Sequence, residues 1–536
     1  MTGFQKLGLG VAAMFYLGAV VWVYFLSPSA VEFEPGVKVI TIAHWQLEDG
    51  FRDGVNEAIK RFEKMKLDQG EKVKIIHSYV PNRGYIQWMT TQLVGGKPAD
   101  IMEVTGDTTL QFKYLRPMSP YLGKPNPFNK GTKLEGIPWK DTYIDGMQGA
   151  FENTYAEWFK VPLAFLPIRL HVNLDLLENA TGSRQMPRDL EEWLDQCQKV
   201  KEYAEKVQKP ISAIGVRGTD RGTLARLYNQ YYSETNGNLI DNMSRYCDGA
   251  VQTADILNGL ETGMVDPARQ TAAACITTDL GKYFIEGFPS VDLEQAKYLF
   301  TRGLVAFFPE GTWETMSLKN SPFDVGVVRV PPIGTRSEYS KYFTGKTTES
   351  GIQTAVAFGI PKRSKNFDLA LEFMQYLSSF DIDQMVMNKC QWGPGVKFAT
   401  YKEKALAPDL GGNPPIANYP YCIGYNTGSY RQMLESLENL ARNQPADPGK
   451  IFMQDFKNRK VVVMKDQRDT IVESDRSNGD REMQRSQLSV GMLRSDATSE
   501  EKGRLELRRS LASEGLSEMS SAFYMNRMLL RALEKL

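Results

Sequence analysis

The chain has 536 residues, 42% hydrophobic and 24% charged, with 64 Lys plus Arg against 64 Asp plus Glu. That composition excludes a wholly disordered or fibrous chain, and a net charge of zero argues against nucleic acid as a partner. Five cysteines without a CxxC pair and only three histidines, His44, His77 and His171, predict no disulfide framework, no metal centre and no cofactor.

Leu7 to Leu26 form an uncharged apolar run of twenty residues. About 20 residues span a bilayer, whereas the apolar part of a signal peptide is about 7–15. Lys6 precedes the run, and Glu32 and Glu34 follow it. The positive-inside rule then sets the N-terminus in the cytoplasm and the body outside. Residues 1–30 read as a transmembrane anchor. Cleavage among the small residues Ser27, Ser29 and Ala30 is the other reading. On either reading the body, from about residue 37, works outside the cytoplasm.

Val37 to Ile42 is rich in β-branched residues and reads as a strand. Phe51, Val55, Ile59 and Phe62 then recur at helical spacing. A strand at Val73–Tyr79, a helix at Tyr85–Val94 and a strand at Asp100–Val104 continue the alternation, which predicts βαβ units and a mostly parallel sheet. Leu163 to Asn173 is a continuous apolar run and reads as one buried strand. Asp189 to Val207 carries Leu190, Trp193, Cys197, Val200 and Ala204 on one helical face. Strands are expected at Leu304–Phe308, Val325–Val330 and Ala355–Ile360. Chain crossings are expected near Val161-Pro162, near Pro331-Pro332 and after Pro394. From about residue 450 the composition turns to Arg, Glu, Ser and Gln, which predicts solvated helices or partial disorder, or else a helical partner-binding tail.

Catalytic signatures are mostly absent: the chain has no HExxH, GxSxG or GxGxxG. Instead, aromatic residues stand beside glycines and charges where strands end, in HWQLED (44–49), EVTGD (103–107), PEGTWET (309–315) and CQWGPG (390–395). Open α/β sheets bind ligands at such ends. An indole face offers apolar surface to a sugar ring, while carboxylates and guanidinium groups bond its hydroxyls. The candidate ligand-binding residues are therefore Trp45, Trp313 and Trp392, with Arg83, Asp107, Arg169 and Glu310 beside them. Core packing is the competing reading for each Trp. Arg169 interrupts an apolar run, which asks for a buried partner.

At these residues the chain resembles the family-1 extracellular solute-binding proteins of ABC transporters, the class that includes maltose- and oligosaccharide-binding proteins. TQLVGGKPADIMEV (91–104), YLRPMSPYL (114–122), LPIRLHVNLDLLENATG (166–182), GLVAFFPEGTWE (303–314), FDVGVVRVPPIG (323–334) and AFGIPKRSKNFDLALEFMQYL (357–377) resemble its conserved stretches in family order. Leu170 and His171 stand where the family usually has aromatics. The resemblance implies an α/β, two-lobed periplasmic-binding-protein-like fold of type II over residues 37–460. Lobe one would be about 37–155 plus 332–395, and lobe two about 156–331 plus 396–460, with a helical extension at 461–536. It further implies hinged capture of a carbohydrate outside the cytoplasm, delivery to the membrane subunits of an ABC permease, and no enzymatic step. A membrane-anchored sensory or scaffolding module and an extracellular glycoside-processing enzyme are the alternatives.

Overall fold

The computed structural model describes residues 35–48, 50–106, 108–152, 157–219, 221–237, 266–346, 354–401, 404–406 and 428–476, with Gly263 and scattered positions between 499 and 531. The apolar run at 7–26, Asp107 and most of 461–536 lie outside these. Among the described residues no helix is long and apolar enough to cross a membrane.

The first half alternates as its periodicity requires. Strand β1 (Lys38–His44) leads to helix α1 (Phe51–Asp68), β2 (Val73–Tyr79), α2 (Asn82–Gly95) and β3 (Ile101–Glu103). Phe51, Val55, Ile59 and Phe62 are the buried face of α1. Gly50 starts that helix at φ 85°, and a Cβ there would fall 2.3 Å from the Lys389 carbonyl oxygen, so only glycine fits. β1 pairs in parallel with β2 (Ile40 opposite Ile75) and with β3 (Ile42 opposite Ile101).

The apolar run from 163 to 173 is two strands rather than one. β4 (Val161–Phe165) belongs to the first sheet, and β5 (Ile168–Asn173) opens the second. The change falls at Leu166-Pro167. Pro167 cannot donate to a ladder, and its carbonyl instead accepts from the Thr312 amide at 3.1 Å. Both strands are buried along their whole length, which is why hydrophobicity alone cannot show the break.

The chain continues through α3 (Leu190–Val207), capped by the Asp189 carboxylate, which accepts from the Glu192 amide at 2.8 Å. Then come β6 (Ser212–Ile214), α4 (Gly222–Asn236), α5 (Pro267–Gly281), β7 (Val305–Gly311) and β8 (Val325–Arg329). It returns to the first sheet with β9 (Thr354–Gly359), α6 (Phe367–Leu377), α7 (Phe380–Cys390) and β10 (Gly393–Pro394), and ends on α8 (Gly428–Asn443) and α9 (Pro448–Arg476). The strand orders are β10-β4-β9-β3-β1-β2 and β8-β5-β7-β6.

Neither sheet is mostly parallel, contrary to the expectation from alternation. β9 lies antiparallel between β3 and β4, and β5 is antiparallel to both of its neighbours. The parallel pairing expected of βαβ units holds only while the chain stays in one sheet. A chain that crosses directly from sheet to sheet enters without a helical return and runs the other way.

Each sheet has its own core. Phe51, Phe62, Phe358, Phe373 and Trp392 are among the buried residues of the first. Trp193, Cys197, Tyr228, Phe307, Leu437, Phe452 and Phe456 are among those of the second. The last two come from α9, so the start of that helix is part of the second core, with Lys457 and Asn458 exposed directly after them. Truncation after residue 460 keeps both phenylalanines. It is expected to shift the melting temperature by only a few degrees. Aggregation of the truncated chain would show instead that the remainder packs on the body.

Candidate functional site

The C-terminal ends of β1 and β3 carry one half of the candidate site. Leaving β1, the chain presents Trp45, Gln46, Leu47 and Glu48. The buried Glu103 carboxylate at the end of β3 holds this segment. It accepts from the Trp45 amide at 3.3 Å and from Gln46 Nε2 at 2.5 Å. Burial pushes the Glu103 carboxyl well above the usual carboxylate range. Trp45 is half-buried, its ring 4.9 Å from Tyr85 in an edge arrangement. The Tyr85 hydroxyl donates to the Ala43 and Glu103 carbonyls at 3.2 and 2.8 Å, which fixes that ring beneath the indole.

The other half comes from the end of β7. Glu310 is 1% exposed and faces Arg226, with which it pairs, and Arg217, whose Nε is 3.3 Å away. Two guanidinium groups on one carboxylate compensate the cost of burying it. The chain then turns through Gly311 and Thr312 into Trp313. The Trp313 ring folds back over its own strand end, where a Cβ at position 311 would lie 2.1 Å from a ring carbon. Trp313 is half-buried, packs against both cores, and carries the Arg226 guanidinium 5.1 Å from its ring centre. It joins the two halves. Gly311→Ala is therefore expected to displace the indole and cut ligand affinity about tenfold or more, or about 1.4 kcal/mol, with a small change in melting temperature. Titrations of both proteins at matched folded fraction check this.

Other side chains meet across the same line. Glu48 follows β1, and burial raises its carboxyl; Glu314 raises it further and Lys297 acts against this. Lys297, on the helix Leu293–Thr301, pairs with Glu314 at 2.7 Å. Gln391, after α7, donates to the Met316 sulfur at 3.2 Å. One Glu48 oxygen is buried without a hydrogen-bond partner, so a hydroxyl placed there would satisfy it.

The remaining sequence candidates are placed differently. Trp392 is 2% exposed and stacks on Phe51 with ring centres 5.0 Å apart, so it is a core residue with no open face. Arg83 is exposed in the first turn of α2, and Asp107 lies outside the described residues. Arg169 is 1% exposed and opposes Glu310 across the β5–β7 ladder. Its guanidinium donates to the Ile168 carbonyl at 2.8 Å and to the Ala405 carbonyl. The buried partner it asks for is thus the returning chain at 405, and Arg169 ties two crossings together. Sequence reasoning missed Glu48, Glu103, Glu314, Arg217, Arg226, Lys297 and Gln391. The three glutamates and Gln391 stood inside motifs already singled out, whereas Lys297 and the arginines carried no local signal. Among the described residues no group of three or more His, Cys, Asp or Glu could hold a metal ion.

The profile of the family described as bacterial extracellular solute-binding protein matches residues 46–380. The chain belongs to that family. Its members are binding proteins rather than enzymes, and they work outside the cytoplasm. A search of curated proteins found no match. Solved structures with the same fold include the solute receptor AcbH, at 12% identity and TM-score 0.55, covering 80% of this chain and 100% of that one. RafE from Streptococcus pneumoniae aligns at 16% identity and TM-score 0.53, over 79% of this chain and 98% of its own. The GacH receptor of Streptomyces glaucescens aligns at 16% identity and TM-score 0.52, over 80% and 98%. The family's two-lobed α/β fold accounts for the two sheets, the two cores and the three crossings between them.

Proposed function

We propose that this protein captures a carbohydrate between its lobes, outside the cytoplasm, and delivers it to an ABC permease. The lobes would be residues 37–165 plus 354–401 and residues 166–346 plus 428–476, following sheet and core membership. The observation that carries the reading is Trp313, an indole held at the junction of both cores beside a line of hydrogen-bonding side chains. Trp45 and Trp313 are the ring-stacking surfaces. Glu48, Glu314, Lys297 and Gln391 bond hydroxyls. Glu310 and Arg169 hold the scaffold beneath them, Arg83 and Asp107 remain candidates to bond ligand hydroxyls, and Trp392 is removed from the ligand set. Related folds support the ligand class: AcbH is described as preferring b-D-galactopyranose, and GacH was crystallised with acarbose. The apolar run at 7–26 would tether the protein to the membrane beside its permease.

A thermal-shift screen of galactose, raffinose, acarbose and chitin oligosaccharides tests the ligand class. A concentration-dependent rise in melting temperature with at least one sugar is the expected result. A response only to amino acids, peptides or polyamines would replace the carbohydrate reading.

A further inference from the structure

Two of the three histidines meet on the exposed-edge side of the first sheet. His44 and His77 lie on the adjacent strands β1 and β2, with their Nε2 atoms 2.5 Å apart. Their outer nitrogens are also engaged: His44 Nδ1 accepts from the Gln46 amide at 3.1 Å, and His77 Nδ1 stands 2.8 Å from Asn56 Oδ1. Only one arrangement of protons satisfies all three contacts. Because an amide N–H points at His44 Nδ1, that nitrogen is bare and the ring proton is on Nε2. It is donated to a bare His77 Nε2. His77 then carries its proton on Nδ1 and donates it to Asn56, which is exposed at the surface of α1.

This chain runs from solvent to the root of the segment that presents Trp45 and Glu48. It has no room for another proton. A proton on His77 Nε2 would face the His44 N–H, and a proton on His44 Nδ1 would face the Gln46 N–H and push that amide away. Among the described residues no anion acts on either ring strongly enough to compensate a proton. Helix α1 contributes Phe51, Asn56 and Arg52, whose charge acts against protonation of both rings. β2 contributes Tyr79, its ring 6.1 Å from His77, and β9 contributes Phe358, 6.3 Å from His44. β3 contributes Glu103, reached through Gln46 and kept toward its neutral form by burial.

We propose that the His44–His77–Asn56 chain is an acid-sensitive support for the ligand-facing segment 45–48, holding it for capture when neutral and releasing it when a proton enters. The proposal rests on the reading that this segment touches the ligand. Burial of both rings, lowering His44 to about 3 and His77 to about 4, agrees with it. The sign follows from linkage. The released segment frees histidine to take a proton below its ordinary value near 6.5, so acid favours release by about tenfold for each pH unit.

Hydrogen exchange on the full chain tests the support directly, with protection of the 45–48 amides corrected for the intrinsic pH dependence of exchange. Protection of the Gln46 amide is expected to fall about tenfold per unit between roughly pH 6 and pH 4, before the rest of the first sheet opens. His44→Asn keeps an acceptor near the Gln46 amide but cannot titrate, so its profile should be level. A level profile in the unsubstituted protein, or a sloping one in His44→Asn, would overturn the proposal. Nitrogen-15 spectra of the three histidines at neutral pH give a check that needs no variant. They should show His44 protonated at Nε2 and His77 at Nδ1, and the reverse pair would contradict the proposal. Raffinose or acarbose affinity should weaken in step with the loss of protection, and affinity that stayed level as the segment loosened would also overturn it. If neither sugar binds while the exchange profile holds, the carbohydrate reading fails and the support stands.

Discussion

Trp392→Ala is expected to lower folding stability by about 3–5 kcal/mol and to leave ligand affinity per folded molecule unchanged. Its indole is 2% exposed and lies flat on Phe51, with 15° between the ring planes. Removing it opens a cavity where β10 and α1 meet, and Phe51 cannot collapse into that space without moving the start of α1. Trp313→Ala should behave in the opposite way. Its ring is half-buried at the junction of the two cores, so less contact is lost on folding. Affinity should fall by about 1–3 kcal/mol, as for an aromatic anchor in a binding surface. Urea unfolding and calorimetric titration of both variants separate the two roles. A large stability loss in Trp313→Ala without loss of affinity would make that residue core instead.

Asp383→Asn is expected to stabilise the protein at neutral pH. The carboxyl is buried in α7, and burial pushes it well above the usual range despite the nearby Gly395 and Val396 amides. Those amides lower it by less than burial raises it. The folded chain therefore keeps a proton that the unfolded chain releases above about pH 4. Stability contributed by this group is present in acid and is lost as pH rises, by about 1.4 kcal/mol per unit until the folded carboxyl ionises. Asparagine has no proton to lose, so the variant should shed this slope and gain most near neutrality. Denaturant melts from about pH 5 to pH 8 check it. Parallel curves for the two proteins would mean that Asp383 is solvated, with its carboxylate satisfied.

What the sequence made legible was local. The apolar spacing in α1, the alternation from β1 to β3 and the apolar face of α3 each depend on neighbours a few residues apart, and each appears where the pattern sets it. The break at Leu166-Pro167 was not legible, because two buried strands in different sheets make the same apolar run as one long strand. The tryptophans show the same boundary within the site. Trp45, Trp313 and Trp392 all sit beside glycines or charges at strand ends, and nothing local distinguishes them. Trp392 is decided by Phe51, Trp313 by two cores and by Arg226, and Trp45 by Tyr85 and Glu103. Arg169 was marked by its interruption of an apolar run. Its partner at Ala405 depends on where the chain returns, which no periodicity encodes.

Isothermal titration of the unsubstituted protein and of Trp313→Ala with galactose, raffinose, acarbose and chitin oligosaccharides at neutral pH tests capture between the lobes most directly. One sugar is expected to bind with one site per chain, and its affinity should drop about tenfold or more in the variant, about 1.4 kcal/mol or more. Equal affinity in the two proteins, or heat with none of these sugars, would contradict it.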